Sequence, residues 1–304
     1  MKRVMVTDLQ RMRDEDHRIT MLTAYDYPTA RLADEAGIPI LLVGDSLGMV
    51  MLGYESTLPV TVDDMIHHGK AVVRGTQRAH VVVDMPFGSY QGGWEDAMRS
   101  AVRIIQETGA GSVKLEGGVR SAETVRRLVE AGIPVMGHVG LTPQSVNAFG
   151  GWKMQGKTPR DGVRVMADAK AIEEAGAYAV VLETVPAMLG AKITQQLRVP
   201  TIGIGAGPYC NGQVQVLHDL LGLDNLKPRH ARRFLEGGDL FRDAFAAYLQ
   251  AVESGTFPTA AESHLLDGQV ANRIELMSHY LSFGSMQYEG IDLEAVLAES
   301  EAEG

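Results

Sequence analysis

The chain has 304 residues, 45% of them hydrophobic and 22% charged, with 34 Gly, 12 Pro and a formal net charge of −10. A chain of this length and apolar content can bury a large core without staples. Its acidic balance argues against nucleic acid or an anionic membrane as partner, since both need clustered Lys and Arg. Cys210 is the single cysteine, so an intrachain disulfide is excluded, which suits a reducing, cytoplasmic setting. The first residues carry Lys2 and Arg3 without an apolar run behind them, so no signal peptide is expected. With no stretch of about 18 apolar residues, no spanning helix is expected either.

In chain order, short apolar runs rich in β-branched residues alternate with longer amphipathic, Ala- and charge-rich stretches. The predicted strands are 19–23, 40–43, 80–84, 112–116, 134–138, 179–183 and 200–205, with an eighth candidate at 213–218. The spacing predicts helices near 28–36, 62–76, 94–108, 121–131, 161–175 and 187–197, and two more, 229–236 and 239–253, beyond the last strand. Residues 1–18 are polar and are read as a leading helix over one end of the fold. Three joints look alike: Glu35-Ala-Gly-Ile-Pro, Glu130-Ala-Gly-Ile-Pro and Glu174-Ala-Gly-Ala. Each places Gly just past a helix, where a left-handed residue is wanted. Repeated β-then-α units over about 250 residues imply a (β/α)₈ TIM barrel. A doubly wound open sheet is the alternative, but no Gly-x-Gly-x-x-Gly follows the first strand. The barrel is assigned to residues 1–264. Residues 265–304 are a C-terminal extension, either a helix for a partner or a loosely held tail.

Active sites of such barrels lie at the C-terminal ends of the strands. The predicted ends carry Asp45 and Ser46, Asp84, Lys114 and Glu116, His138, and Glu183. Asp45 alone reads equally as a turn residue bonding its own backbone. Lys114 and Glu116 are two apart and therefore point to one side of a strand, with Val113 and Leu115 on the other; the alternative to a site is a buried structural ion pair. Asp45, Asp84 and Glu116 on successive strands would repel one another unless a cation sat among them. All-oxygen ligation with open positions suits Mg²⁺. Such a cation can chelate a 2-oxo acid and ease deprotonation of the neighbouring carbon, with Lys114 on the substrate carboxylate or a developing oxyanion. Glu183, flanked by Val180, Val181, Leu182, Val185 and Pro186, is the candidate base; its alternative role is charge compensation at a helix start. His138 either orients a substrate group or satisfies a hydrogen bond in the mouth. Tyr25-Asp26 either lines the floor or caps a helix. The Gly-rich run 202–207 is an anion cradle or a tight turn. The loops 44–60 and 143–160 are long enough to form walls of a site.

Taken together, certain segments resemble the ketopantoate hydroxymethyltransferase family. They are Thr23-Ala-Tyr-Asp-Tyr, Val43-Gly-Asp-Ser-Leu-Gly-Met, Gly53-Tyr-Glu-Ser-Thr-Leu-Pro-Val-Thr, Asp84-Met-Pro-Phe, Val113-Lys-Leu-Glu-Gly-Gly, Gly137-His-Val-Gly-Leu-Thr-Pro-Gln-Ser-Val, Leu182-Glu and Ile202-Gly-Ile-Gly-Ala-Gly. The resemblance spans about residues 7–264. It implies a barrel of the phosphoenolpyruvate-mutase/isocitrate-lyase type and the first committed step of pantothenate synthesis, in which a one-carbon unit passes from 5,10-methylenetetrahydrofolate to 3-methyl-2-oxobutanoate. It implies Mg²⁺, with Asp45 and Asp84 as ligands and Glu116 as a further or outer ligand. Ser46 and Lys114 become contacts to the 2-oxo acid, Glu183 the proton acceptor, and the chain a subunit of a large homo-oligomer, typically a decamer. The tail beyond about 264 is longer than the family core. A lyase or mutase on the same barrel is the competing enzyme; the absence of an evident catalytic cysteine of the kind such lyases carry in a mobile loop favours the transferase. A non-catalytic barrel would leave five charged strand ends unexplained.

Overall fold

The computed structural model describes residues 2–224, 228–264 and 266–282. Eight parallel strands close into a barrel in sequence order, which excludes the open sheet. They are β1 (Ile19–Thr23), β2 (Ile40–Val43), β3 (His80–Asp84), β4 (Ser112–Glu116), β5 (Val135–Gly140), β6 (Ala179–Glu183), β7 (Thr201–Ile204) and β8 (Gly212–Gln215). The helices, in order, are α1 (Val6–Asp14), α2 (Tyr27–Glu35), α3 (Leu47–Val50), α4 (Val62–Gly75), α5 (Trp94–Thr108), α6 (Ala122–Glu130), α7 (Val146–Phe149), α8 (Pro159–Glu174), α9 (Ala187–Gln196), α10 (Leu217–Leu221), α11 (Gly237–Glu253) and α12 (Gly268–Ser282). No helix among the described residues is long and apolar enough to cross a membrane.

The period of two along each strand divides the apolar residues into two layers. Ile19, Met21, Ile40, Leu42, Val82, Met136, Ala179, Val181, Ile202 and Val214 point inward and pack together, and Leu9 of α1 joins them. The leading helix therefore closes one end of the barrel, as expected. Leu41, Val43, Val81, Val83, Val113, Leu115, Val180 and Leu182 point outward and pack against helix residues such as Val72, Ile104, Leu128 and Ile172.

Two expectations are corrected. The segment 229–236 is not a helix: it follows Pro228, and its backbone is tied elsewhere, with Gln215 Nε2 donating to the Arg232 carbonyl at 2.6 Å and the Phe234 N–H to the Leu220 carbonyl at 2.8 Å. The crossing from β7 to β8 contains no helix, so six of the seven crossovers carry helices and the units are not uniform. The chain forms two compact units, Met1–Gly238 and a second from Asp239 onward. Of the extension 265–304, Gly268–Ser282 is helical, and 283–304 lie outside the described residues.

Correct placement of Asp45 and Asp84 depends on the register between β2 and β3, where Val43 is opposite Val83. A buried acid, Asp34, sets the approach to β3. Its carboxylate accepts the N–H groups of Gln77 at 3.0 Å, Arg78 at 3.0 Å and Ala79 at 2.6 Å. Asp34→Ala would leave these donors without their shared acceptor. It is expected to cost about 2–4 kcal/mol of stability, measured by urea denaturation; a loss within about 0.5 kcal/mol would remove Asp34 as the clamp.

Candidate active site

The strand ends converge on a cavity of about 520 Å³ lined by Asp45, Ser46, Asp84, Lys114, Glu116, His138 and Glu183. All of the strongest sequence candidates are thus brought together. Register explains the neighbours: Asp84 is opposite Lys114 across β3–β4, and Glu116 is opposite His138 across β4–β5.

Lys114 Nζ lies 2.9 Å from Asp84 Oδ1, with both side chains buried. The contact is an ion pair without aligned hydrogen-bond geometry, and Asp84 Oδ1 has no other partner. Asp84 Oδ2 accepts the Asp45 N–H at 3.0 Å. A Cβ at Gly44 would crowd the Ser46 Oγ, at 2.9 Å, while meeting Asp84 Oδ2 at an ordinary 3.5 Å. Asp45 is pushed up to about 7, first by burial and then by the Asp84 charge. Burial alone would lower Lys114, but the carboxylates of Asp84, Asp45 and Glu116 outweigh it and hold the ammonium above the ordinary lysine range. The cluster is short of positive charge.

His138 bridges the two sides of the floor. Its Nδ1 is 3.4 Å from Lys114 Nζ and 3.6 Å from Glu116 Oε1, and its Nε2 is 3.2 Å from Glu183 Oε2. Burial, followed by the Lys114 charge, lowers its pKa, so the ring is neutral near pH 7. With Lys114 as donor to Nδ1, the ring proton belongs on Nε2, facing Glu183. The line from Nε2 to Glu183 is off the ideal hydrogen-bond direction. Beyond Glu183, Thr184 has φ 48°, a rare conformation for a β-branched residue.

Of the roles considered for Tyr25 and Asp26, capping falls to Asp26, and Tyr25 is buried next to Ser46 without lining the cavity itself. The Tyr25 hydroxyl bonds Ser46 Oγ at 2.8 Å, while Asp26 caps α2 by accepting the Thr29 N–H at 2.8 Å. The loop after β2 contributes Met49, Val50 and Thr57 to the cavity wall, and the loop after β5 contributes Pro143 and Trp152. In the run 202–207, Gly205 and Gly207 have φ 66° and 79°, which makes the run a turn. A Cβ at Gly207 would lie 2.4 Å from Ala187 Cβ at the start of α9.

Glu116 stands apart from the other two carboxylates. Its Oε2 accepts the Gln144 N–H at 3.0 Å and its Oε1 faces His138. Among the described residues, no three His, Cys, Asp or Glu side chains form a ready ligand cluster; of the expected Asp45–Asp84–Glu116 set, Asp45 and Asp84 are joined directly through the Asp45 N–H, while Glu116 is engaged by Gln144 and His138. Two residues were missed by sequence reasoning. Gln144 Nε2 donates to Asp45 Oδ2 at 2.8 Å, and the Tyr90 hydroxyl donates to Gln144 Oε1 at 2.7 Å. Neither is charged; the available signal was Gln144 in the loop after a site-bearing strand.

The pair fits a small hard cation. Mg²⁺ is commonly held by one or two carboxylates with water and substrate in the remaining positions. The Asp84 Oδ1 atom without a hydrogen bond and the raised Asp45 are both what an anion-rich floor shows without such a charge. For Asp45, the folded value lies above the unfolded one, so metal-free stability falls as pH rises from about 4 to about 7 and stays lowered above. Asp45→Asn, still able to accept from Gln144, is therefore expected to stabilise the metal-free protein at pH 8 by up to about 4 kcal/mol. The gain should vanish near pH 4. Denaturation at the two pH values checks this, and an equal gain at both contradicts it.

A sequence model of the family described as ketopantoate hydroxymethyltransferase matches residues 3–260. A 3-methyl-2-oxobutanoate hydroxymethyltransferase of Chloroflexus aurantiacus is 56% identical over 266 residues, covering 87% of this chain and 94% of that protein. One of the same name from Carboxydothermus hydrogenoformans is 52% identical, covering 90% of this chain and 100% of that protein. The fold is similar to phosphoenolpyruvate phosphomutase from Streptomyces platensis subsp. rosaceus, with TM-score 0.57, 14% identity and coverage of 91% and 97% of the two chains. It is also similar to phosphonopyruvate hydrolase in complex with oxalate and Mg²⁺, with TM-score 0.56, 12% identity and coverage of 93% and 99%. A further neighbour, 2,3-dimethylmalate lyase of the PEP mutase/isocitrate lyase superfamily, has TM-score 0.51, 16% identity and coverage of 92% and 98%. These neighbours share the closed parallel barrel as a fold, and by sequence the chain belongs to the ketopantoate hydroxymethyltransferase family.

Proposed function

We propose that this hydroxymethyltransferase takes its one-carbon unit from 5,10-methylenetetrahydrofolate and adds it to C3 of 3-methyl-2-oxobutanoate, with Mg²⁺ held by Asp45 and Asp84. The observation that carries the reading is the pairing of the Asp45–Asp84 carboxylates with Glu183 across one cavity. On a similar fold, phosphonopyruvate hydrolase is seen with oxalate and Mg²⁺. When bound, the cation supplies Lewis acidity that makes C3 of the oxo acid easier to deprotonate.

The protein's own groups do the rest. The Lys114 ammonium, anchored on Asp84 at 2.9 Å, offers positive charge to the oxo-acid oxygens. Ser46, steadied by Tyr25, offers a hydroxyl beside them. Leu42, Val181, Ile204 and Val214 line the same cavity and give the isopropyl group an apolar seat. Glu183 takes the C3 proton, the electron pair left on C3 forms the new carbon–carbon bond to the donor's methylene carbon, and a water molecule then replaces the folate nitrogen on that carbon, supplying the hydroxyl and releasing tetrahydrofolate. Neutral His138, 3.2 Å from Glu183 Oε2, steadies the acceptor carboxylate without neutralising it. Trp152, Met49 and Pro143 line the upper wall, and a bulky donor docking there would exclude water from C3.

Turnover should require oxo acid, methylenetetrahydrofolate and Mg²⁺, each omitted in turn. Glu183→Gln should keep oxo-acid binding yet slow C3 proton exchange in deuterated water by about 10²–10⁴-fold. Undiminished exchange would remove Glu183 as the acceptor, and turnover without the folate would remove the donor assignment.

We also propose that the chain self-associates, into the decamer typical of the family. In the single chain, α11 exposes Leu240, Phe241, Phe245, Tyr248, Leu249 and Val252, each at 46% or more, and a row of this kind marks a protein contact. Phe241→Asp with Phe245→Asp is expected to lower the particle mass in sedimentation; an unchanged mass would remove this face from the assembly contact.

A further inference from the structure

Gln144 meets both carboxylates that flank the floor without being charged itself. It comes from the short 3₁₀ turn Pro143–Ser145 after β5, far in sequence from Asp45. Its side chain is almost fully buried, as are Tyr90, Asp45, Glu116 and Met85. A buried primary amide must satisfy two donor hydrogens and an acceptor oxygen. Here all are used. Nε2 donates to Asp45 Oδ2 at 2.8 Å and to the Met85 carbonyl at 3.0 Å. Oε1 accepts from the Tyr90 hydroxyl at 2.7 Å and from Gln91 Nε2 at 3.0 Å.

The orientation of the amide is forced. A flip would turn Oε1 toward the Asp45 carboxylate and the Met85 carbonyl, three acceptors without a proton between them. It would also turn Nε2 toward Gln91 Nε2, donor against donor. Tyr90 completes the lock: its oxygen accepts the Glu116 N–H at 3.1 Å, so its own proton is free for Gln144. Gln144 then reaches Glu116 a second way, through its backbone N–H to Oε2 at 3.0 Å.

The consequence falls on Asp45. With Oδ2 held by an amide that cannot flip, the carboxylate cannot swing, and Oδ1 is left for the cavity. The Asp45 N–H is meanwhile held by Asp84 Oδ2 at 3.0 Å. We propose that Gln144, locked by Tyr90 and Gln91, is a positioning residue that fixes the Asp45 carboxylate beside Asp84 in the orientation that receives the divalent cation. This rests on the Asp45–Asp84 cation reading above. Outer partners of this kind commonly change metal affinity by about 10–100-fold when removed.

The test is Mn²⁺ binding to the full-length protein, followed by electron paramagnetic resonance without substrates, alongside the thermal midpoint. Gln144→Leu removes the donor to Oδ2 at similar size, and Tyr90→Phe leaves the amide but removes its lock. Expected is Mn²⁺ affinity about ten-fold or more weaker for Gln144→Leu and roughly three-fold weaker for Tyr90→Phe, with the oxo-acid KM rising in step at subsaturating metal. Unchanged Mn²⁺ affinity in folded variants, with only the thermal midpoint lowered, overturns the inference. Where Gln144→Leu fails to fold, Tyr90→Phe decides. Wild-type protein that binds no Mn²⁺ overturns the cation reading and this inference with it.

Discussion

The mouth of the barrel depends on the ion pair between Lys114 and Asp84. Four carboxylates, those of Asp45, Asp84, Glu116 and Glu183, line one cavity with this ammonium among them. In a low-dielectric interior, breaking such a pair leaves an uncompensated buried charge, which is strongly destabilising. The pair exists because β3 and β4 align Asp84 with Lys114. A register slip of one residue would turn Lys114 toward the helices and put Leu115 in the mouth. Outer-layer packing prevents the slip, since Val113 and Leu115 are both fully buried against the helical shell. Catalytic placement is thus secured by apolar contacts on the opposite face of the same strand.

Strands with one strong signal were legible in sequence to the residue. Ile40–Val43, His80–Asp84, Ser112–Glu116 and Ala179–Glu183 are apolar runs stopped by polar or glycine residues, and buried parallel strands have that form. The third and fourth crossovers were equally plain, because their helices carry an amphipathic period. Legibility failed where tertiary contacts decide. The strand β5 runs on to Gly140 because Gly140 pairs with Glu183, a partner invisible to local reading. The segment after Pro228 has helix-forming Ala and Arg residues, yet Gln215 of β8 takes the Arg232 carbonyl. Tertiary bonding overrode propensity there.

At the site, charge made residues legible and neutrality hid them. Asp45, Asp84, Lys114, Glu116, His138 and Glu183 stand at strand ends, where an ionisable group needs a reason to be buried. Their arrangement was less legible than their presence. Three carboxylates on successive strands read as one ligand set, but Glu116 already has the Gln144 N–H and His138 to face. Gln144 and Tyr90 are ordinary loop residues by type. Their importance comes only from the cross-chain bonds that join them to Asp45 and Glu116.

Glu183 ends its strand under a constraint that the other carboxylates lack. Thr184 follows it at φ 48°, a conformation that costs about 1–3 kcal/mol in a β-branched residue and persists only where its surroundings over-determine it. They do so here from both sides. The Leu141 N–H donates to the Glu183 carbonyl at 2.9 Å, the Thr184 N–H to the Ile204 carbonyl at 2.8 Å, and the Gln155 N–H to the Thr184 carbonyl at 3.0 Å. On the β5 side the fit is so close that a Cβ on Gly140 would lie 2.4 Å from the Glu183 carbonyl oxygen. Backbone from β5, β7 and the loop after β5 therefore grips the turn at Glu183. A carboxylate on a freely moving loop would have to pay an ordering cost at each encounter with a ligand. Here that cost is met during folding, and the carboxylate is presented beside His138 at a height set by the barrel itself.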